Sequence, residues 1–495
     1  MKRNKLLAVL LPTLVFTLLG FTVMGYHPGA EDDGVYLSAV KADLHPTLFP
    51  HDSDFFRVQL QATVFDGWMA HFVEATHIPT AWSELIWQIL SLFFILWACR
   101  SIAEQLFPEK RAQWAAVAMV SAMFTLPVAG TALYLVDQHL HPRAVSTALI
   151  LIAVSRILAG KRWLALPLLM LSVAIHPIMG ILGFSFCFFL TLSMLEVAPA
   201  RLRTVRTAVG STAASVMPLG WIFEPPSPEW RRALSTRTYY FLSQWAWYEW
   251  LGALAPLLLF WLLWRIASKR GETKLARLSL AIFTYGLFQQ IVALAVLGIP
   301  SLVRLTPMQP MRFLHLIYVF LCLIGGGLMG KYLLKTQVWR WAVFLAVANG
   351  GMFFAQRQLF AGTDHLELPS RATSNPWLQT FEWIRTNTPE DAYFALDPHY
   401  MAAPGEDYHS FRALAERSML SDAIKDTAVV TQVPYLATVW HDQQAATAGW
   451  AHFQLADFER LKSQFGVNWA VVSYPPPGGL PCPWHNGSIS VCRIP

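Results

Sequence analysis

Over roughly the first 360 residues, long apolar runs alternate with short polar connectors, the pattern of helices that cross hydrocarbon, for which about 20 residues are needed. The runs lie at Leu6 to Gly25, Trp82 to Ala103, Trp114 to Leu135, Val145 to Ala159, Trp163 to Ala174 and Pro177 to Leu195, then at Thr207 to Phe223, Leu251 to Ile266, Leu278 to Leu297, Phe313 to Met329 and Val338 to Phe354. They predict an α-helical polytopic membrane protein with about eleven transmembrane helices. The segments on either side of His176-Pro177 form either two spans or one broken hairpin, because proline removes a helix donor. The first run follows Met1-Lys2-Arg3-Asn4-Lys5 and reads as a span rather than a signal peptide, since it approaches bilayer length and no A-x-A site follows.

From about Ala361 acidic and amide residues appear and no later run is long enough to span. The sequence therefore divides into a transmembrane domain, 1–360, with a long first outer loop at 26–81, and a small α/β domain, 361–495. Within the latter, Asn375 to Thr386 predicts a helix and Ala392 to Leu396 a strand. Asp457 to Phe465 predicts a helix with Asp457 as N-cap, stopped by Gly466, and Val467 to Tyr474 a buried strand.

Composition agrees with lipid as the solvent: 55% of the 495 residues are hydrophobic and 14% charged, with a mean hydropathy of +0.40. The net charge of +6 sits in short clusters between apolar runs instead of one stripe, so it argues for topology and against a nucleic-acid partner. With the N-terminus in the cytoplasm, the inner connectors hold Lys2/Arg3/Lys5, Arg100/Lys110/Arg111, Arg156/Lys161/Arg162, Arg201/Arg203/Arg206, Arg265/Lys269/Arg270/Lys274/Arg277 and Lys331/Lys335/Arg340. The alternate connectors hold fewer cations, and an odd number of spans carries the C-terminal domain across. This predicts a bacterial cytoplasmic membrane protein with a periplasmic C-terminal domain. Cys482 and Cys492 fall in that domain; a disulfide in an oxidising periplasm and two free thiols are both open readings. No CxxC or Cys/His cluster for zinc is present.

Candidate chemistry lies on the outer side. Glu31-Asp32-Asp33 follows the first span closely; these carboxylates could hold a divalent cation such as Mg or Mn, supply a general base, or form only a solvated acidic turn. Asp52 belongs to a second acidic turn, Leu48 to Phe55, leading into an amphipathic stretch with Trp68 and Phe72 suited to the interface plane. In Asp137-Gln138-His139-Leu140-His141-Pro142-Arg143, the fork of Arg143 suits a phosphate, with a snorkelling arginine as the alternative. His176 would sit at the outer end of the fifth span, as either a site residue or a packing residue. Arg231, Arg304 and Arg312, among aromatics and prolines, are further phosphate candidates or interfacial anchors.

The outline resembles the GT-C superfamily of membrane glycosyltransferases, and in particular a group of uncharacterised bacterial GT-C-like proteins. The likeness rests on Glu31-Asp32 with Tyr36, Leu48-Phe49-Pro50 with Asp52, His141-Pro142-Arg143, His176-Pro177, Thr388-Pro389-Glu390-Asp391-Ala392 and Phe411-Arg412 with Arg417. It implies transfer of a sugar from a polyprenyl-phosphate carrier to a cell-envelope acceptor, with Asp32 or Asp33 as base or metal ligand. A D-x-D spacing in a later outer loop and a W-W-D-like motif in the tail are missing, which disfavours oligosaccharide transfer. A secondary transporter is the rival reading, predicting ionisable residues mid-span and an internal repeat. An envelope assembly factor is the third.

Overall fold

The computed structural model describes residues 2–195 and 225–495. Most of the apolar runs become long helices, two of them carrying a proline inside, Pro12 and Pro256. Seven among the described residues are long and apolar enough to cross a membrane: Leu7–Met24, Thr80–Leu106, Pro177–Met194, Trp247–Lys269, Thr273–Gly298, Pro310–Leu334 and Val338–Leu359. The protein is thus a helical membrane protein, with seven candidate spans among the described residues against the eleven expected of the whole chain.

The other four runs have identifiable fates. Trp114 to Leu135 supports a helix only over Lys110–Ala122; beyond it the chain turns through a two-stranded hairpin, β1 (Pro127–Val128) and β2 (Leu133–Tyr134), where Pro127 and Gly130 oppose helix. Val145 to Ala159 lies in a helix of 17 residues, Pro142–Leu158, which at 1.5 Å per residue is about 25 Å long. Trp163 to Ala174 forms the 11-residue helix Ala165–Ile175. Thr207 to Phe223, with Arg201, Arg203 and Arg206, lies outside the described residues.

The helices Ala165–Ile175 and Pro177–Met194 break at His176 and fold back on each other so closely that a methyl group at Gly180 would sit 2.5 Å from the backbone of Val173. The broken-hairpin reading of the His176-Pro177 region therefore describes this pair. Close approach also explains Gly326: a methyl there would lie 2.5 Å from Met119 Cβ and 2.7 Å from the Ala115 carbonyl oxygen. Helix Lys110–Ala122 nests against helix Leu314–Met329 through these small residues, as packing inside lipid favours. The amphipathic helix Phe65–Thr76 presents Trp68 and Phe72 to Trp87 of the long helix Thr80–Leu106.

After Leu359 the chain builds a five-stranded mixed sheet from β3 (Tyr393–Ala395), β4 (Ser418–Met419), β5 (Trp469–Ser473), β6 (Trp484–His485) and β7 (Ile489–Arg493), in the order β4-β3-β5-β7-β6. β3 runs parallel to β4 and β5, and β7 antiparallel to β5 and β6. Helix Pro376–Asn387 covers one face, packing Phe381 and Ile384 with Phe394, Trp469 and Val491. Helix Leu455–Phe465 covers the other, with Phe458 and Leu461 against Ala470 and Cys492. The N-cap of that helix is Gln454 instead of Asp457: Asp457 sits at the third helical position, and its carboxylate accepts the Gln454 backbone N–H at 3.0 Å, closing a capping box. Gly466, at φ +81°, ends the helix as the sequence indicates. Cys482 and Cys492 are joined by a disulfide.

This sheet-bearing segment seats on the end of the bundle where the first helix finishes. Tyr26 N–H donates to the His365 carbonyl at 3.0 Å and Glu367 N–H to the Tyr26 carbonyl at 2.9 Å. Buried charge strengthens the joint: His409 Nε2 lies 3.1 Å from Glu367, which also meets His27 Nδ1 at 2.6 Å. Helix Lys425–Gln432 packs Val429 and Val430 against Trp230, Ala233 and Phe55, and Trp230 Nε1 donates to the Thr431 carbonyl at 3.1 Å. The space enclosed between bundle end and C-terminal segment is the functional candidate.

Candidate functional site

The chain leaves the first helix through a tight turn at Gly25 to Asp32. Gly29 adopts φ +75° and Glu31 φ +54°, a left-handed conformation that a non-glycine residue takes at a cost of about 1 kcal/mol or more. The turn holds because its backbone is shared: Glu31 N–H donates to the Tyr408 carbonyl at 2.9 Å, and the Gly29 carbonyl accepts Ser410 N–H at 2.8 Å. Asp33, only 2% exposed, accepts Gly29 N–H at 2.6 Å. Asp33 is therefore spent on the turn, while Glu31 and Asp32 face a cavity of about 730 Å³.

Two His-Pro pairs bring imidazoles to the same cavity by one local device. His141 caps helix Pro142–Leu158 and His176 caps helix Pro177–Met194, each with proline at the first helical position, where its missing N–H costs nothing. His141 Nδ1 accepts Arg143 N–H at 2.9 Å, and His176 Nδ1 accepts Met179 N–H at 3.3 Å. An accepting nitrogen has no proton, so each neutral ring carries its proton on Nε2. His141 Nε2 points at Asp32 Oδ2, 3.6 Å away, and His176 stacks on His141 at 5.8 Å. Burial, reinforced by the Arg143 charge, pushes His141 down to about 4, so the ring is neutral at pH 7. Tyr36, one turn along helix Asp33–Leu44, meets the edge of His141 at 5.1 Å.

Three guanidinium groups line the cavity: Arg143, Arg237 and Arg312. Arg143 is 3% exposed and donates Nη2 to Asp137 Oδ1 at 2.5 Å, while its Nε and Nη1 have no hydrogen-bond partner among the described residues. Burial opposes the charge on Asp137, yet the adjacent Arg143 holds that carboxyl at about 2. Arg237 Nε and Nη2 are likewise buried without a partner among the described residues. Arg312 Nε donates to Gln309 Oε1 at 2.7 Å. Buried donors of this kind suit a charged, multi-oxygen acceptor.

The C-terminal segment supplies the remaining charge. Lys425, the first residue of its helix, has its ammonium against Glu31 Oε2 and 3.1 Å from Asp32 Oδ1. Burial raises the Asp32 carboxyl, but Lys425 and then His141 outweigh it, leaving the group well below the usual carboxylate range. Asp32 is ionised across the physiological range.

Of the sequence-derived candidates, Glu31, Asp32, Tyr36, His141, His176, Arg143 and Arg312 converge on one cavity. Others do not reach it. Asp33 is turned away, as described. Asp52 accepts Tyr393 Oη at 2.5 Å and Gln443 Nε2 at 2.8 Å, fastening the first loop to the sheet. Arg231 is exposed and its Nε lies 3.4 Å from the Pro226 carbonyl, and Arg304 reaches the Pro225 carbonyl at 3.4 Å; Arg237 takes the place in the cavity wall expected of Arg231. Two motif fragments are structural: Arg417 clamps the Thr388 turn, and Arg412 pairs with Asp426 at 2.7 Å. Lys425 escaped the sequence reading because nothing local marks it.

Among the described residues no group of three or more His, Cys, Asp and Glu side chains is gathered as a cation would require. The two carboxylates put forward for Mg or Mn have different partners here: Asp33 accepts the Gly29 N–H, and Asp32 faces Lys425. His141 and His176 would have to give up their capping bonds to free Nε2 as a ligand. Comparison with known proteins finds no family model that matches the chain and no curated protein similar to it.

Proposed function

We propose that the protein transfers a sugar from a polyprenyl-phosphate carrier to a hydroxyl or amine acceptor, at the outer face of a bacterial cytoplasmic membrane. The observation that carries this reading is one cavity, at the end of an apolar helical bundle, that opposes an ionised carboxylate to three guanidinium groups. In the reaction, the acceptor oxygen or nitrogen bonds to the anomeric carbon as the bond from that carbon to the phosphate oxygen breaks. The acceptor proton passes to Asp32, and the polyprenyl phosphate leaves with its new charge spread over Arg143, Arg237 and Arg312. The Cys482–Cys492 disulfide supports an oxidising compartment for the C-terminal segment, and the basic connectors support a cytoplasmic N-terminus. GT-C-like transfer and the membrane-lipid donor are likewise part of this proposal.

The test is transfer of radiolabelled sugar from undecaprenyl-phosphate-linked donors by the full chain in proteoliposomes. Activity in wild type, lost in Asp32→Asn with folded protein retained, supports the reading; activity in Asp32→Asn equal to wild type refutes it. A secondary transporter is the second reading; it would draw on Glu84, which is 3% exposed and the fifth residue of the long apolar helix Thr80–Leu106. Solute-dependent proton flux abolished by Glu84→Gln, without sugar transfer, would select it.

A further inference from the structure

We propose that Lys425 is a positioning residue of this cavity: delivered by the C-terminal segment, its ammonium gathers Glu31 and Asp32 into one cluster and fixes the Asp32 carboxylate opposite the guanidinium groups. The inference rests on the transferase reading for its purpose, but its geometry stands apart from it.

The placement of Lys425 is built, not incidental. Its own backbone N–H and that of Ile424 donate to Asp422 Oδ1, at 2.5 and 2.7 Å, which starts the helix at this residue. Asp426, one position on, accepts Asp422 N–H through Oδ2 at 2.9 Å and pairs through Oδ1 with Arg412 at 2.7 Å. Asp422, Asp426 and Arg412 are all nearly fully buried, and Arg412 also lies over the Phe55 ring at 5.6 Å. A buried ion pair is poor evidence of stability but holds a register well. What it holds here is the root of a lysine whose side chain is 14% exposed and touches two carboxylates 393 and 394 residues away in sequence.

Without Lys425, Glu31 and Asp32 would be adjacent like charges at a surface of low dielectric. The other groups facing Asp32 are His141 and Arg143 from helix Pro142–Leu158, with Tyr36 and Tyr239 nearby. His141 is neutral and Arg143 is engaged with Asp137, so neither replaces a contact ammonium. An exposed anionic pair would also repel the anionic donor from the same cavity. Lys425 removes that repulsion and keeps Asp32 free of a proton.

The test uses the full chain in detergent micelles, comparing wild type with Lys425→Met, Lys425→Arg and Glu31→Gln. An apolar carbodiimide, dicyclohexylcarbodiimide, modifies protonated carboxyls, and fragment-ion mass spectrometry that assigns the adduct to Asp32 rather than to the adjacent Glu31 or Asp33 gives the pH of half-modification at Asp32. Lys425→Met should raise that pH by about 1–3 units, the scale of losing one contact cation, while Lys425→Arg stays with wild type and Glu31→Gln moves in the opposite direction. Coincident curves for wild type and Lys425→Met, or failure of arginine to restore the wild-type curve, overturn the proposal. If Lys425→Met does not accumulate, Lys425→Gln is read in its place, and a curve coincident with wild type overturns the proposal. Sugar transfer is measured on the same preparations. Absence of transfer in wild type defeats the transferase reading, whereas the modification curves alone decide the role of Lys425.

Discussion

Replacing Arg143 by lysine separates the two tasks that one guanidinium performs. Toward the protein, Nη2 neutralises the buried Asp137 carboxylate; toward the cavity, Nε and Nη1 are buried and without partners among the described residues. Alanine would strand Asp137, and an unpaired buried charge costs about 3–5 kcal/mol, so unfolding would obscure any effect on binding. Lysine keeps a cation beside Asp137 but has no fork for a phosphate. Each hydrogen bond to a charged group contributes about 1.5–3 kcal/mol, so losing one raises Kd by about tenfold at the low end, and losing two by about 100-fold or more. Arg237 and Arg312 still line the cavity, which holds the expected weakening to about 10- to 100-fold. The assay is equilibrium binding of undecaprenyl phosphate to the protein in nanodiscs at two ionic strengths, with thermal unfolding as control. An unchanged Kd in folded Arg143→Lys would refute the assignment of this arginine to the ligand phosphate.

Asp33→Ala should lower stability by about 1–3 kcal/mol, because it orphans the Gly29 N–H; chemical denaturation in micelles measures it. Reducing the Cys482–Cys492 bond, which closes a ten-residue separation, should cost about 2–3 kcal/mol, seen as a lower unfolding midpoint with reductant. The His409–Glu367 pair sets a pH window. Burial works against the His409 charge but Glu367 outweighs it, raising His409 to about 10, so its contribution is full below the unfolded histidine value and fades as pH climbs toward 10. Burial likewise works against the Glu367 charge, but the two histidines hold that carboxyl at about 2, so its contribution is full above the unfolded glutamate value and fades as pH falls toward 2. The pair therefore contributes most between about pH 4.5 and 6.5, and His409→Gln should flatten the decline of the unfolding temperature above that window.

The sequence announced the seven long helices because their apolar composition outweighs single internal prolines such as Pro12 and Pro256. It overcounted where breakers intervene, with Pro127 and Gly130 inside one run, and where the helix that formed is short, as in the 17-residue Pro142–Leu158 and the 11-residue Ala165–Ile175. His141 and His176 were legible as candidates but not as helix caps, which the structure shows each of them to be. Lys425 was not legible, because its partners are set by tertiary seating; Asp422 three residues before it was the available signal for a helix start, not for a site. Arg231 and Arg237 are equivalent on paper. Only the turn at Thr238–Tyr240 after the short helix decides which one faces inward.

The contact between Glu31 and Lys425 spans 394 positions of chain. At a synthesis rate of about 5–20 residues per second, about 20–80 s separate their emergence from the ribosome. During that interval the helices can already be inserted while the cavity still lacks the part of its wall that Lys425, Ala428, Val429 and Gln432 supply. Glu31 and Asp32 therefore stand without their ammonium until the C-terminal segment has been made and seated.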